Sequence, residues 1–259
     1  MRILFVGDIF GRPGRNLIPA LLPKIRAEFS IDITVVNGEN AAGGLGITPE
    51  IVRELLKQDI QAITLGNHTW RKKQFVPVIG EFEQVVRPAN YPQGVPGKGS
   101  TVVELIDGRR LGVINLIGRV YMDAFDCPFE AAKREIGKLK GRTDAILVDM
   151  HAEATSEKVA MGWYLDGLCS AVVGTHTHVQ TADERVLPGG TAYITDVGMT
   201  GPHDGVIGVQ KELIIKKFLT GLPSEFEPAE GRPCLNAVVI ETDDKTGRAK
   251  SIERIFRQG

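Results

Sequence analysis

Eight side chains in this sequence have the types and placement to gather around metal ions: Asp8, Glu39, Asn40, Asn67, His68, His151, His176 and His178. Each follows a short apolar, β-branched run. Gly7-Asp8 comes after Ile3–Val6, and Asn37-Gly38-Glu39-Asn40 after Ile31–Val36. Gly66-Asn67-His68 comes after Ile60–Leu65, His151 after Ala145–Met150, and Gly174-Thr175-His176-Thr177-His178 after Cys169–Val173. Four of the five histidines in the chain lie at these ends; His203, in Gly201-Pro202-His203-Asp204-Gly205, is the other. One or two carboxylates, two amides and three or four imidazoles make an oxygen and nitrogen donor set without sulfur, suited to Mn, Fe or Zn. One tetrahedral ion would leave donors over, whereas two ions roughly 3.5–4 Å apart that share a carboxylate would use them all. The chemistry expected of such a pair is hydrolysis at phosphorus, with a bridging water that loses its proton between two cations and attacks.

The runs that must position these groups alternate with helical patterns. Ile3–Val6, Ile31–Val36 and Ile60–Leu65 read as buried strands. Leu17, Ile18, Leu21, Leu22, Ile25 and Phe29 recur at helical spacing between the first two, with a kink expected at Pro23. Thr48-Pro49 is a helix start, a capping hydroxyl followed by proline, leading into Ile51–Leu56. Strand, helix, strand, helix, strand with short connections implies right-handed crossovers and a parallel sheet. Ligands of open α/β sheets sit outside the carboxyl ends of strands, where the polar groups fall.

The second half changes character. Val102–Ile106 and Leu111–Leu116 read as a hairpin, as do Glu184–Leu187 with Thr191–Ile194 and Leu235–Glu241 with Ser251–Phe256. Phe129–Leu139, Thr155–Leu165 and Gln210–Leu219 are helical, and Ala145–Met150 and Cys169–Val173 are strands. No repeat or linker divides the chain, so the expectation is one α/β domain over residues 1–259, with mixed sheets flanked by helices.

Composition limits the classes of function. Thirty-one Lys and Arg against 32 Asp and Glu is not the basic excess of a protein that coats a polymeric nucleic acid. Cys127, Cys169 and Cys234 lie far apart, which excludes a disulfide framework and a thiolate zinc site and fits a reducing cytoplasm. No apolar run approaches the roughly 18 residues of a membrane span. The expected location is cytoplasmic. Taken singly, each motif has a plain reading: Asp8 as a turn cap, Glu39-Asn40 as a loop, His151 as a hydrogen-bonded strand end. Trp70 reads as packing, and Gly43-Gly44-x-Gly46 lacks the dinucleotide register, although its backbone N–H groups could face a phosphate.

Gly7-Asp8, Asn37–Asn40, Gly66–His68, His151 and Gly174–His178, in that order, resemble the motif set of the calcineurin-like metallophosphoesterases. The opening Gly7–Arg15, Asn37–Gly46, His68-Thr69-Trp70 and Thr195–Pro202 bring the likeness closest to the YmdB-like branch, over residues 1 to about 255. The resemblance implies a four-layer α/β/β/α sandwich and a di-metal phosphodiesterase acting on small cyclic nucleotides such as 2′,3′-cyclic AMP. It implies that Asp8, Glu39, Asn40 and His178 hold one ion, and that Glu39 as bridge, Asn67, His151 and His176 hold the other. Fe or Mn is expected there, with Zn as a further candidate, and His68 would protonate the leaving oxygen. Three positions depart from the wider superfamily. Phe10 stands where a histidine ligand is usual, Glu39 replaces an aspartate bridge, and Thr69 replaces the acid that usually partners the histidine before it.

The rival from another class is a metal-dependent protein that binds a phosphorylated ligand for regulation with little turnover. A phosphomonoesterase would use the same core, but the second motif lacks the Asp-Arg pair such enzymes place near the phosphate. Whether the chain self-associates is left open by its sequence.

Overall fold

The computed structural model describes residues 1–259. In chain order the elements are β1 (Arg2–Val6), β2 (Asp8–Ile9), α1 (Gly11–Phe29), β3 (Ile33–Asn37), α2 (Pro49–Leu56), β4 (Ala62–Thr64) and β5 (Val85–Val86). They continue with β6 (Ser100–Glu104), β7 (Arg110–Ile117), α3 (Pro128–Leu139), β8 (Ala145–His151), α4 (Thr155–Tyr164), β9 (Ala171–Thr175), β10 (Arg185–Val186) and β11 (Ala192–Ile194). The last are β12 (Met199–Pro202), α5 (Lys211–Thr220), β13 (Pro233–Thr242) and β14 (Ala249–Gln258).

The result is a mixed α/β fold with two sheets and five helices. The first sheet runs β2-β12-β13-β1-β3-β4-β5, with β14 antiparallel on β13. Its strands β1, β3, β4 and β5 are parallel, as their βαβ spacing requires. The second sheet runs β10-β11-β9-β8-β7-β6; β7, β8, β9 and β11 are parallel, and antiparallel β6 and β10 close its edges. All three expected hairpins form, as β6–β7, β10–β11 and β13–β14. Thr48 caps α2 by accepting the Ile51 N–H at 3.4 Å, and α1 is one helix through Pro19 and Pro23.

Strand alternation sorts the buried side chains into three cores. Leu4, Val6, Val36 and Ile63 pack with Leu17, Ile18 and Leu22 of α1 and Val52 and Leu55 of α2. Phe5, Ile33, Val35 and Ala62 of the first sheet pack with Leu111, Val113, Ala145, Leu147, Ala171 and Val173 of the second. Ile114, Ile146, Val148 and Val172 pack with Ala131 and Leu139 of α3 and Met161 of α4. Along β8 the residues on the inner face are Ala145, Leu147, then Asp149 and His151, because side chains two apart share a face. By the same count Asn37 follows Ile33 and Val35, Thr64 follows Ala62, and Thr175 follows Ala171 and Val173. The core between the sheets therefore ends, at the carboxyl ends of its strands, in a layer of buried polar groups.

One feature differs from the sequence expectation. Asp8 does not end β1: the chain breaks off at Gly7, and Asp8 opens β2, which pairs with Met199 and Thr200 of β12. Only glycine fits the break, since a β-carbon at position 7 would overlap the Gly198 carbonyl oxygen. Helix α5 forms where expected but has no buried residue.

Candidate metal centre

Asp8, the Asn37–Asn40 turn after β3 and the Gly66–His68 turn after β4 reach the rim from the first sheet. His151 and the Gly174–His178 loop reach it from the second. A β-carbon on Gly66 would overlap both Glu39 Oε2 and His151 Nε2, so glycine there is a condition for the two sheets' groups to meet.

Glu39, His151 and His176 each offer a ligand atom within 4.8 Å of the others. His151 Nε2 lies 2.9 Å from Asn67 Oδ1, 3.1 Å from His176 Nδ1 and 3.3 Å from Glu39 Oε1. On the adjoining side, His178 Nε2 lies 3.8 Å from Asp8 Oδ1 and 3.2 Å from Asn40 Nδ2. Asp8 is fully buried, and its Oδ1 has no hydrogen-bond partner. A buried carboxylate oxygen without a donor is costly, and His178 Nε2, which faces it, can offer a lone pair beside it. Such a donor set fits cations, which would satisfy these lone pairs together.

His68 donates its backbone N–H to Glu39 Oε2 at 3.0 Å, and its Nδ1 lies 2.7 Å from Asn40 Oδ1 and 3.3 Å from Glu39 Oε1. These contacts replace the acidic partner that Thr69 does not provide; Thr69 instead bonds the Gly66 carbonyl at 2.6 Å. Asn40 departs from the expected arrangement. Its oxygen faces His68 while its Nδ2 faces Glu39 Oε1 and His178. To act as a ligand on the Asp8 side, this amide must turn over, which exchanges its donor and acceptor and reverses the polarity of the His68 contact.

Electrostatics follow from burial and proximity. Burial raises Asp8 above the usual carboxylate range, against the pull of His178 and His151. Burial acts the same way on Glu39, but His151 and His68 outweigh it and hold that carboxylate well below its ordinary value. Burial opposes charge on His151, yet Glu39 and Asp8 push it up to about 9. Burial and the neighbouring His151 charge bring His176 down to about 3. Neutral His176, with Nε2 3.2 Å from Glu153 Oε2, can donate there and aim an unprotonated Nδ1 inward.

The His176-Thr177-His178 loop is strained. His176 and His178 have φ of 100° and 65°, a region that costs non-glycine residues roughly 1–2 kcal/mol each. Thr177 is pinned between them: its N–H and hydroxyl both donate to Asp196 Oδ2, at 3.1 and 2.7 Å. That oxygen also takes the Lys158 ammonium at 2.7 Å, and both members of the ion pair are buried. Beside the cluster opens a cavity of about 350 Å³ lined by Phe10, Phe226 and Ile207 together with His68, His176 and His178.

The family model of YmdB-like proteins matches residues 4–255. This chain is a YmdB-like protein. A Bacillus subtilis (strain 168) relative, named 2′,3′-cyclic-nucleotide 2′-phosphodiesterase, is 54% identical over 256 residues, covering 99% of this chain and 97% of that protein. A crystal structure of a hypothetical protein from Thermus thermophilus superposes with a TM-score of 0.92 at 42% identity, covering 100% of this chain and 99% of that one. A Mycoplasma pneumoniae structure described as a novel phosphatase gives 0.93 at 36% identity, covering 100% of this chain and 93% of that one.

In this YmdB-like protein, residues outside the ligand motifs complete the site. Lys158 and Asp196 hold the histidine loop, and Phe226 walls the cavity. The sequence signal for Asp196 was its place in the Thr195–Pro202 signature; Lys158, a lysine on the buried side of α4, and Phe226 carried none. His203 lies outside the cavity lining: its Nε2 is 3.1 Å from the Met199 carbonyl oxygen, and its ring stands edge-on to Phe256. Trp70 packs against the first core and Tyr91. The Gly44 N–H is spent on the Asn40 carbonyl, so it is not free to meet a phosphate.

Proposed function

We propose that this chain is a metal-dependent phosphodiesterase hydrolysing small cyclic nucleotides, 2′,3′-cyclic AMP among them, as a single metallophosphoesterase domain. The observation that carries the reading is the convergence of Asp8 Oδ1, Glu39, Asn67, His151 and His176, acceptors brought together beside a cavity of nucleotide size. The name of the 54% identical Bacillus subtilis relative supports the substrate class. The three cores support layers in the order helices, sheet, sheet, helices.

Asp8, Glu39, Asn40 and His178 would hold one ion, and Glu39, Asn67, His151 and His176 the second; Fe and Mn suit this oxygen and nitrogen set, and Zn also fits. When bound, the ions supply Lewis-acid stabilisation at phosphorus and lower the pKa of water. The chain's own part is to orient and to move a proton. Phe10, Ile207 and Phe226 offer apolar surface to a base, and His68, steadied by Asn40 and Glu39, faces the same cavity and gives its proton to the leaving oxygen.

The test adds Mn to purified protein and follows 2′,3′-cyclic AMP. Product is expected from the parent. His68→Ala should lose about 10²–10⁴-fold in turnover, the usual weight of a general acid, with metal content near the parent's, whereas Asp8→Ala and His176→Ala should lose metal. Saturable binding without product would favour the regulatory binding protein. Equal metal loss in all three variants would remove His68 from its role.

A further inference from the structure

Directly beneath the candidate ligands, the polar layer between the sheets centres on Asp149, which belongs to none of the ligand motifs. It is fully buried, as are Asn37, Thr64 and Thr175 around it. Its Oδ2 takes Asn37 Nδ2 at 3.1 Å and the Thr64 hydroxyl at 2.5 Å. Its Oδ1 takes the Thr175 hydroxyl at 2.7 Å. Thr175 Oγ1 in turn lies 2.9 Å from His151 Nδ1.

The direction of each hydrogen bond is fixed by chemistry. The Glu39 backbone N–H can only donate, and it donates to Asn37 Oδ1 at 3.1 Å, so the Asn37 NH₂ must face Asp149. A carboxylate only accepts. The single Thr175 hydroxyl proton therefore points at Asp149, and toward His151 this oxygen can only accept. We propose that Asp149 is a positioning residue that, through Thr175, fixes the proton of His151 on Nδ1 and leaves the Nε2 lone pair facing Glu39, Asn67 and His176. The inference rests on the reading of His151 as a metal ligand.

An isosteric amide inverts this chain without breaking it. In Asp149→Asn the oxygen must stay toward the Asn37 NH₂, so the new NH₂ points at Thr175. The Thr175 proton then turns to His151 Nδ1, and the imidazole proton moves to Nε2, into the metal site. Every hydrogen bond survives, yet the ligand atom is blocked. A similar wrong-tautomer effect follows when the buried carboxylate of a serine protease triad becomes an amide.

The test compares the parent, Asp149→Asn, Thr175→Val and Thr175→Ser. Histidine ¹H–¹⁵N correlation spectra of the metal-free proteins at pH 10 read the tautomer, and Mn(II) titrations at pH 8 read affinity. The parent should show His151 protonated on Nδ1 and Asp149→Asn on Nε2. Mn affinity should fall about 10–100-fold in Asp149→Asn, the range for losing the outer partner of a ligating histidine. It should fall less in Thr175→Val and stay near the parent's in Thr175→Ser. A folded Asp149→Asn with Nδ1 still protonated, or with the parent's Mn affinity, overturns the proposal. If that variant does not fold, equal affinities in Thr175→Val and Thr175→Ser overturn it. A parent that binds no Mn defeats the phosphodiesterase reading instead, while the tautomer comparison still decides the role of Asp149.

Discussion

From the first sheet the rim receives carboxylates and amides, Asp8 at the start of β2 and Glu39, Asn40 and Asn67 on turns after β3 and β4. From the second it receives His151 in the last position of β8 and His176 and His178 on the loop after β9. The one imidazole contributed by the first sheet, His68, is the one to which the proposed mechanism gives a proton rather than a lone pair. The two deliveries also differ in mechanics. The first sheet uses glycine-containing turns, the Gly66 carbonyl taking the Tyr91 hydroxyl at 3.2 Å, whereas the second bends two non-glycine residues into a left-handed conformation and restrains them with a buried ion pair. A site shared this way depends on the seam between the sheets.

The most severe way to break the seam is Glu39→Gln, because this carboxylate meets His151 from across it. Turnover of 2′,3′-cyclic AMP with Mn should fall roughly a thousandfold, the factor for several kcal/mol of lost charge stabilisation at phosphorus. A loss of only tenfold would show that the two halves do not join at Glu39. Next is the support of the second sheet's loop. Lys158→Met leaves Asp196 buried without its partner, which costs about 3–5 kcal/mol; an unchanged urea midpoint would deny that the ion pair holds the loop.

Acidity sharpens the comparison from another side. His151 is raised, so its contribution to stability is complete below its ordinary value of 6.5 and is lost as pH climbs through about 9. Glu39 is lowered, so its contribution is present above its ordinary 4.5 and is lost as pH falls. Through this pair, metal-free protein should be most stable between those two ordinary values. A cation competes for the His151 site with the proton, so Mn affinity should rise up to about tenfold per pH unit between 6.5 and 9. Thermal melts with and without Mn from below the ordinary 4.5 of Glu39 up to about 9 check both, and an affinity independent of pH would contradict the assignment of His151. Smallest of all, His203→Ala should leave turnover unchanged and cost about 0.5–1.5 kcal/mol for its one hydrogen bond. A drop in activity would bring the fifth histidine into the comparison.

What sequence revealed of this molecule tracks what apolar periodicity can carry. β1, β3, β8 and β9 announced themselves because both faces are buried, and their polar ends marked the rim. β5 and β12 were silent: two and four residues respectively, they exist through pairing with β4 and β13. Asp149 was legible in principle, two positions before His151 and so on its face, but a single acid in an apolar run gives no sign of what it meets across the sheets. The orientation of Asn40 lay beyond sequence, since it depends on which neighbour claims the oxygen. Lys158 needed the fold, which alone shows Asp196 waiting for it.

Helix α5 carries a consequence for how the cavity behaves in time. Ten residues with no buried side chain touch the body of the protein through the partly buried Ile214, against Phe10, Met199 and Val209, and a helix that short is marginal in water without more packing than that. Its amide hydrogens should exchange with deuterated solvent sooner than those of any other helix. Phe226, six residues beyond its end, lies against Phe10; the aromatic wall of the cavity is thus attached to the part of the chain that opens most readily, while the floor stays closed.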